Sequence, residues 1–371
     1  MVETAARLLY LRAEELARQI AVAIAGQGRR PRIALINGIQ HAALNDLAAS
    51  AEELIVQQGR RDNCLELQRA GCTVRRSISG TNFDLVLVLG GRQREQTLGW
   101  LGAAAGMLET SAAPHGGTLL FCSANDMGAK GYERKLASLG APISVQSKSK
   151  CRVSELHGED ISNRKQLAKW LSAAEPRRIT LRQPAGMGGE KDEAILSCPG
   201  VFSWDRADAG SRLLLDHLPD KLAGRGMDLG CGNGYLSCHV LASHEGIREW
   251  HLVDVDAVAL DCARQNLAAL EREQACKVQG HWLDATRESM PGGMDVVLLN
   301  PPFHKDKADL VSLGQSMIRA AARSMKPAGS LFLVANRHLP YEFLLYDTFG
   351  QVQVLFEGKG YKVVRCDGVS R

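Results

Sequence analysis

From about residue 223 onward, the hydrophobic positions of the chain alternate between two periods. Short runs in which most residues are apolar ("MDLG", "HLVDVD", "DVVLLN", "SLFLVAN") are separated by longer stretches in which apolar residues recur every three or four places. The first pattern marks strands covered on both faces, the second amphipathic helices. In "AVALDCARQNLAALERE" the residues Leu260, Ala263, Leu267 and Leu270 share one helical face. In "DLVSLGQSMIRAAARSMK" the face is Leu310, Leu313, Met317 and Ala321, and Pro327 and Gly329 are expected to close that helix. "YLSCHVLASH" reads as another helix and "CKVQGHWLDA" as another strand. Strand–helix alternation at this spacing predicts an α/β fold with a doubly wound, mainly parallel sheet.

The first half carries weaker versions of the same units. "RPRIALING" matches "GRGMDLGCG", and "FDLVLVLGGRQREQ" matches "MDVVLLNPPFHKDK". "HGGTLLFCSAND" with "YERKLASLG" matches "PAGSLFLVANRH" with "YEFLLYDTFG". Their common order favours two tandem Rossmann-like domains, although parallel strands resemble one another by composition alone. Both distinctive loops of the second half are missing from the first, which has "NGIQHAA" and "GGRQ" in their places. The expected organisation is a degenerate, scaffolding or RNA-binding domain at 1–175, a Pro/Gly-rich linker at 176–194 and a catalytic domain at 195–371.

At 371 residues the chain exceeds what one core usually spans, and no apolar run is long enough for a membrane helix. "MVETAARLLYLRAEELARQIAVAIAG" reads as an amphipathic helix, not a signal peptide. Ten cysteines without a C-x-x-C pair point to reduced thiols in the cytoplasm and to no metal site. Charge is unevenly shared: residues 1–190 hold 25 Lys and Arg against 18 Asp and Glu, the remainder 20 against 23. A basic half joined to a slightly acidic one suits a polyanion-binding module beside a catalytic module, or an ordinary solvated surface.

The glycine loop narrows the chemistry. "MDLGCGNGYLS" places Gly230, Gly232 and Gly234 between a strand and a helix, where backbone N–H groups can approach a ligand. Tyr235 departs from the spacing that packs a helix against a pyrophosphate, and Asp228 in the preceding strand disfavours one. Asp254, ending the next strand, is placed to accept ribose hydroxyls, and Asp284, ending the third, to meet an adenine amine. Each of the three could equally be a strand-end cap. Together they describe a cationic nucleoside without a pyrophosphate, and S-adenosylmethionine fits.

"DVVLLNPPFHK" then runs a buried-type strand into Asn300, Pro301, Pro302 and Phe303. Two prolines fix φ twice and remove two donors, leaving carbonyls aimed without competing N–H groups. The Asn300 side-chain oxygen and the Pro301 carbonyl can both accept from a planar amino group, while Phe303 stacks on the ring that bears it. Such a grip suits methyl transfer to an exocyclic nitrogen, whose lone pair must be freed from its ring and aligned with the electrophile.

With these residues in view, the last ~175 residues resemble the bacterial ribosomal RNA guanine-N2 methyltransferases. The resemblance rests on "PGVFSWDRADAGSRLLLDHLP", "MDLGCGNGYLS", "LVDVDAVAL", "LLNPPFHK" and "VANRHLPYE". It implies N2-methylguanosine as product, a degenerate methyltransferase domain at the N-terminus, and Asn300, Pro301 and Phe303 on the guanine. It also implies that Asp208, Gly210 and Ser211 lie near the methionine end of the cofactor. "RHLPY" mixes features of the large- and small-subunit branches, with the small subunit (16S rRNA) favoured over the 23S branch.

The rivals are a protein N5-glutamine methyltransferase, which grips a planar amide with a similar Asn-Pro-Pro motif, an adenine-N6 methyltransferase, and a non-catalytic ribosome-assembly factor. Arg337 and His338, after the fifth strand of the second half, are candidate RNA contacts. So are Arg60 and Arg61, Arg75 and Arg76, the cluster Lys148, Lys150 and Arg152, and Arg177 and Arg178; a solvated surface is the plainer reading of each.

Overall fold

The computed structural model describes residues 1–371 except 109–110, 141, 182–192, 275, 303–306 and 371. The side chains of 193, 269–274 and 307–310 are also outside the description, and with them those of Leu270 and Leu310. The chain divides into two compact units, Met1–Glu175 and Pro176–Arg371.

Unit 1 opens with α1 (Val2–Ala23), which buries Ala6, Leu9, Tyr10, Ala13, Leu16 and Ala17 at helical spacing. Its seven strands are β1 (Arg32–Ile36), β2 (Glu53–Gln57), β3 (Thr73–Arg75), β4 (Leu85–Leu89), β5 (Thr118–Ala124), β6 (Ser144–Lys148) and β7 (Cys151–His157). Between and after them come α2 (Ala43–Ser50), α3 (Arg61–Arg69), α4 (Arg94–Met107), α5 (Ala129–Ala137) and α6 (Arg164–Ala174). The sheet order is β3-β2-β1-β4-β5-β7-β6, with every strand running the same way except β7, which is antiparallel to both its neighbours. β4 reads Leu-Val-Leu-Val-Leu and is wholly buried, as a central parallel strand must be.

Unit 2 begins with β8 (Arg177–Leu181) paired antiparallel to β9 (Glu193–Ser197), so part of the stretch expected to be linker is a strand. Then come α7 (Ala209–Asp216), β10 (Ala223–Leu229), α8 (Tyr235–Ser243), β11 (Gly246–Asp254), α9 (Ala257–Gln274), β12 (Lys277–Trp282) and β13 (Met294–Leu299). They are followed by α10 (Lys307–Ser324), β14 (Met325–Asn336), α11 (Glu342–Thr348), β15 (Phe349–Gly358) and β16 (Tyr361–Val369). The sheet order is β12-β11-β10-β13-β14-β16-β15, the order of unit 1 position for position.

Both units are thus Rossmann-like, as the repeated motifs predict. One detail differs. Pro327 and Gly329 lie inside β14, at a register shift between Met294 and Val296 of the neighbouring strand. A proline is tolerated there because an irregularity needs no ladder donor from it.

Candidate functional site

The C-terminal ends of β10, β11 and β13 define the edge at which an open α/β sheet holds ligands. Gly230 and Cys231 both donate to the Val253 carbonyl (2.8 and 3.1 Å), folding the loop after β10 back onto β11. Gly230, Gly232 and Gly234 all take left-handed φ (81°, 54° and 83°). Gly234 is also pressed on α9: a β-carbon there would lie 3.0 Å from the Ala263 Cα. Gly232, by contrast, has open space at that position.

Asp228 lies in β10 and is 1% exposed. Its Oδ2 accepts from Ser237 Oγ (2.6 Å), which in turn accepts from the indole nitrogen of buried Trp250 (2.9 Å). Its Oδ1 finds no partner among the described residues. Burial pushes this carboxyl up to about 7, helped by the Asp254 charge and opposed by the Ser237 hydrogen bond. The Cys231 thiol is driven well above its usual value by burial and by the Asp254 and Asp228 carboxylates, which leaves it a poor nucleophile.

Asp254 clamps the loop, accepting from Gly232 N and Asp256 N (both 2.8 Å). Asp284 is occupied locally: its Oδ1 accepts from Thr286 N and Oγ1 (2.9 and 2.6 Å), and its Oδ2 faces Arg287 at 3.4 Å. Neither Asp254 nor Asp284 is among the residues lining the cleft described next.

That cleft, of about 430 Å³ including its open mouth, is lined by Phe202, Asp208, Ser211, Gly230, Gly232 and Asn300 among others. Asp208 is the N-cap of α7, its Oδ2 accepting from Ser211 N (2.8 Å). The same oxygen accepts from Asn300 Nδ2 (2.8 Å), and Asn300 Nδ2 also donates to Ser211 Oγ (2.8 Å). An ionised carboxylate can only accept, so the amide orientation is dictated: Nδ2 faces Asp208 and Oδ1 faces away. That Oδ1 is buried, with no partner among the described residues.

Gly210 fits beneath this arrangement because a β-carbon would meet Asp208 Oδ2 at 3.1 Å and the Tyr361 ring at 3.2 Å. Burial and the nearby Asp208 charge raise the Tyr361 hydroxyl. Pro301 is buried and Pro302 exposed, while Phe303 lies outside the described residues.

Asn266 was not singled out by its sequence context. It donates to the carbonyls of Leu196 (2.8 Å) and Asn233 (2.9 Å) and accepts from Leu196 N, tying β9 to the glycine loop. An Asn amid a predicted helix face carries no local sign of such a task. Among the basic candidates, Arg337 is paired with Glu357 (2.9 Å) and His338 is exposed after β14. Arg75, Arg76, Lys148 and Lys150 are exposed in unit 1. Among the described residues no helix is long and apolar enough to cross a membrane, and no group of His, Cys, Asp and Glu is arranged to hold a metal.

This strand order, with a glycine loop after its first central strand and an oriented amide after its fourth, defines a methyltransferase. The methyltransferase small domain family matches residues 192–365. The ribosomal RNA small subunit methyltransferase C of Psychromonas ingrahamii is 31% identical over 290 residues, covering 77% of this chain and 76% of that one. The protein of the same name from Salmonella choleraesuis is 31% identical over 258 residues, or 69% and 68% of the two chains. Among solved structures, the T. thermophilus 16S rRNA N2 G1207 methyltransferase in complex with AdoMet and guanosine superposes with a TM-score of 0.73. It is 25% identical and covers 91% of this chain and 88% of that one. The chain belongs to the ribosomal RNA small subunit methyltransferase C family.

Proposed function

We propose that this protein transfers a methyl group from S-adenosylmethionine to the exocyclic N2 amine of one guanine in small-subunit (16S) ribosomal RNA. The observation that carries the reading is the Asn300 Oδ1: buried, without a partner among the described residues, and turned away from Asp208 by the forced orientation of its amide. A buried acceptor is costly to leave unmade, and an incoming N–H group removes that cost. The site also fits the cofactor. Gly230 and Gly232 bring backbone to the cleft wall, which also carries Asp208, and the Asp228 and Asp254 carboxyls lie near its Cys231, surroundings that suit a cationic nucleoside without a pyrophosphate.

In this reading Gly230, Gly232, Gly234 and Asp254 hold the cofactor from the loop side, and Asp228 offers beneath it a buried carboxyl whose Oδ1 has no partner among the described residues. Asp284 belongs to the same edge at the adenine end. When bound, S-adenosylmethionine supplies an electrophilic methyl group on a sulfonium. Asn300 Oδ1 accepts one amine hydrogen and the Pro301 carbonyl the other. Held from one side, the nitrogen loses conjugation with its ring and turns its lone pair toward the methyl. The extra proton of the methylated amine leaves from the hydrogen at the Pro301 carbonyl to water. Asp208 and Ser211 are positioning residues for Asn300 and share the cleft wall, while Gly210 keeps room for them. Pro302 fixes the backbone that aims the Pro301 carbonyl, and Phe303 stacks on the guanine. Arg337 and His338, after β14, are the proposed RNA contacts of this unit.

The test uses tritiated S-adenosylmethionine with separated small and large ribosomal subunits from cells lacking this protein, followed by nucleoside analysis. The expected result is label in N2-methylguanosine of the small-subunit RNA alone. Label in 23S rRNA, in N6-methyladenosine or in a protein glutamine would each replace this reading with the corresponding rival.

A further inference from the structure

The matched sheet orders allow the two units to be compared at the same edge. Asn37 N donates to the Gln57 carbonyl (3.0 Å) as Gly230 N donates to that of Val253, so Asn37 occupies the place of Gly230, and Gln58 that of Asp254. By the same register Val88 takes the place of Leu299, so Leu89, the last residue of β4, stands at the place of Asn300.

In unit 1 the space under this edge is filled. A β-carbon on Gly38 would lie 2.6–2.7 Å from Leu35 and Val56, and Gln58 Nε2 donates to the Gly38 carbonyl (2.7 Å). The Tyr10 hydroxyl of α1 accepts from Ile39 N (3.0 Å) and donates to the Ile39 carbonyl (2.9 Å).

What replaces the cleft is positive charge. Where unit 2 has Asp254 as the last residue of β11 and Asp284 after β12, unit 1 has Arg60 and Arg61 after β2, and Arg75 and Arg76 at the end of β3. Arg92 and Arg94 follow β4 and are exposed, as Arg75 and Arg76 are, while Arg60 and Arg61 are half-buried. β7 runs antiparallel, so the β6–β7 turn reaches the same edge, held by Asn125 N donating to the Lys150 carbonyl (2.8 Å).

In that turn Ser149 and Lys150 both adopt left-handed φ (51° and 60°), a conformation that hairpins normally give to Asn-Gly. A lysine held there in a disfavoured backbone is a candidate for a task other than folding. Two of the carboxylates on this edge, Asp62 and Glu133, are already paired with Arg60 and Arg152.

We infer that the ligand edge of unit 1, closed to a cofactor and inverted in charge, is a phosphate-binding platform for the RNA substrate. This rests on the ribosomal RNA substrate proposed above. Seven strands at about 4.8 Å spacing give an edge roughly 29 Å long, enough to follow several successive phosphates. The contacts are to phosphate, so the platform supplies affinity and orientation and leaves choice of base to unit 2.

The experiment measures filter binding of the full-length protein to transcribed 16S rRNA between 50 and 200 mM salt, without cofactor. The variant combines Arg75→Glu, Arg76→Glu, Lys148→Glu and Lys150→Glu. The control combines Lys165→Glu and Lys169→Glu on the exposed face of α6. The platform variant is expected to bind at least about tenfold more weakly, with a salt dependence shallower by about 0.7 per lost phosphate contact, while the control matches wild type.

The paired neutral variants Arg75→Gln/Arg76→Gln and Lys148→Gln/Lys150→Gln each lose part of the slope. They guard against misfolding of the fourfold variant. Unchanged affinity and slope, or an equal loss in the control, would overturn the platform. Wild type that binds RNA in this way but makes no N2-methylguanosine would leave the platform standing and remove the proposed reaction.

Discussion

At the scale of the residue, the site turns on a single side-chain amide. Asn300 is held by two partners that lie 92 and 89 positions earlier in the chain, and its free oxygen is the acceptor the reaction needs. Asn300→Ala should therefore cut methyl transfer by about a hundredfold or more while cofactor affinity, read by equilibrium dialysis, stays near wild type. Asp208→Asn separates positioning from binding. It removes the acceptor-only partner that dictates the amide orientation, so the turnover rate should fall further than cofactor affinity does; an equal fall in both would make Asp208 a cofactor ligand instead. Asp228 offers a pH test. Its carboxyl sits at about 7 in the fold against an ordinary 3.8. Between those values the folded state keeps a proton that the unfolded chain has released, so stability declines as pH rises through that window and stays lower above it. Asp228→Asn preserves an acceptor for Ser237 and should flatten the difference in melting temperature between pH 5 and pH 8. The role proposed for Asn300 is read from its sequence, where two prolines follow an Asn at a strand end. Its partnership with Asp208 is not, since nothing local marks a contact between an N-cap and a strand end so far apart in the chain.

At the scale of the element, the glycine loop separates two demands that the sequence shows only as one motif. Gly232→Ala meets no neighbour within 4 Å and carries only the strain of φ 54°. Gly234→Ala adds a β-carbon 3.0 Å from the backbone of α9 at φ 83°. The second change should lower the unfolding free energy by about 2 kcal/mol or more, the first by about 1. Cofactor affinity should show the reverse order, because Gly232 lines the cleft and Gly234 does not. Denaturant titration and dialysis on the same two variants check both halves. Strands, helices and their order followed from hydrophobic period, since burial on both faces leaves a parallel strand little freedom in composition. The ends of elements were harder to place. Pro327 reads as a terminator in sequence, yet β14 runs through it at a bulge, and β8 lies in a stretch whose charge and proline suggested a linker.

At the scale of the whole molecule, the chain builds one topology twice and gives the two copies opposite tasks. Net charge already differed between the halves, but only the sheet order shows that cations and carboxylates occupy corresponding strand ends. The loss of a ligand site in unit 1 is equally specific. Asn37 stands where Gly230 lowers backbone cost, Gly38 is walled in by Leu35 and Val56, and both Tyr10 and Gln58 spend their hydrogen bonds on the loop that would face a cofactor. Opening that space requires breaking at least three buried or half-buried hydrogen bonds, each worth about 1 kcal/mol net and more if a partner is left unsatisfied. Binding of S-adenosylmethionine should accordingly show one site per chain by calorimetry. A Tyr10→Phe/Gln58→Ala variant should melt earlier without gaining a second site, because the walls of Leu35 and Val56 remain. A stoichiometry of two in the wild-type protein would mean that the first copy has kept a ligand function, and the division of labour between cofactor edge and phosphate edge would fall with it.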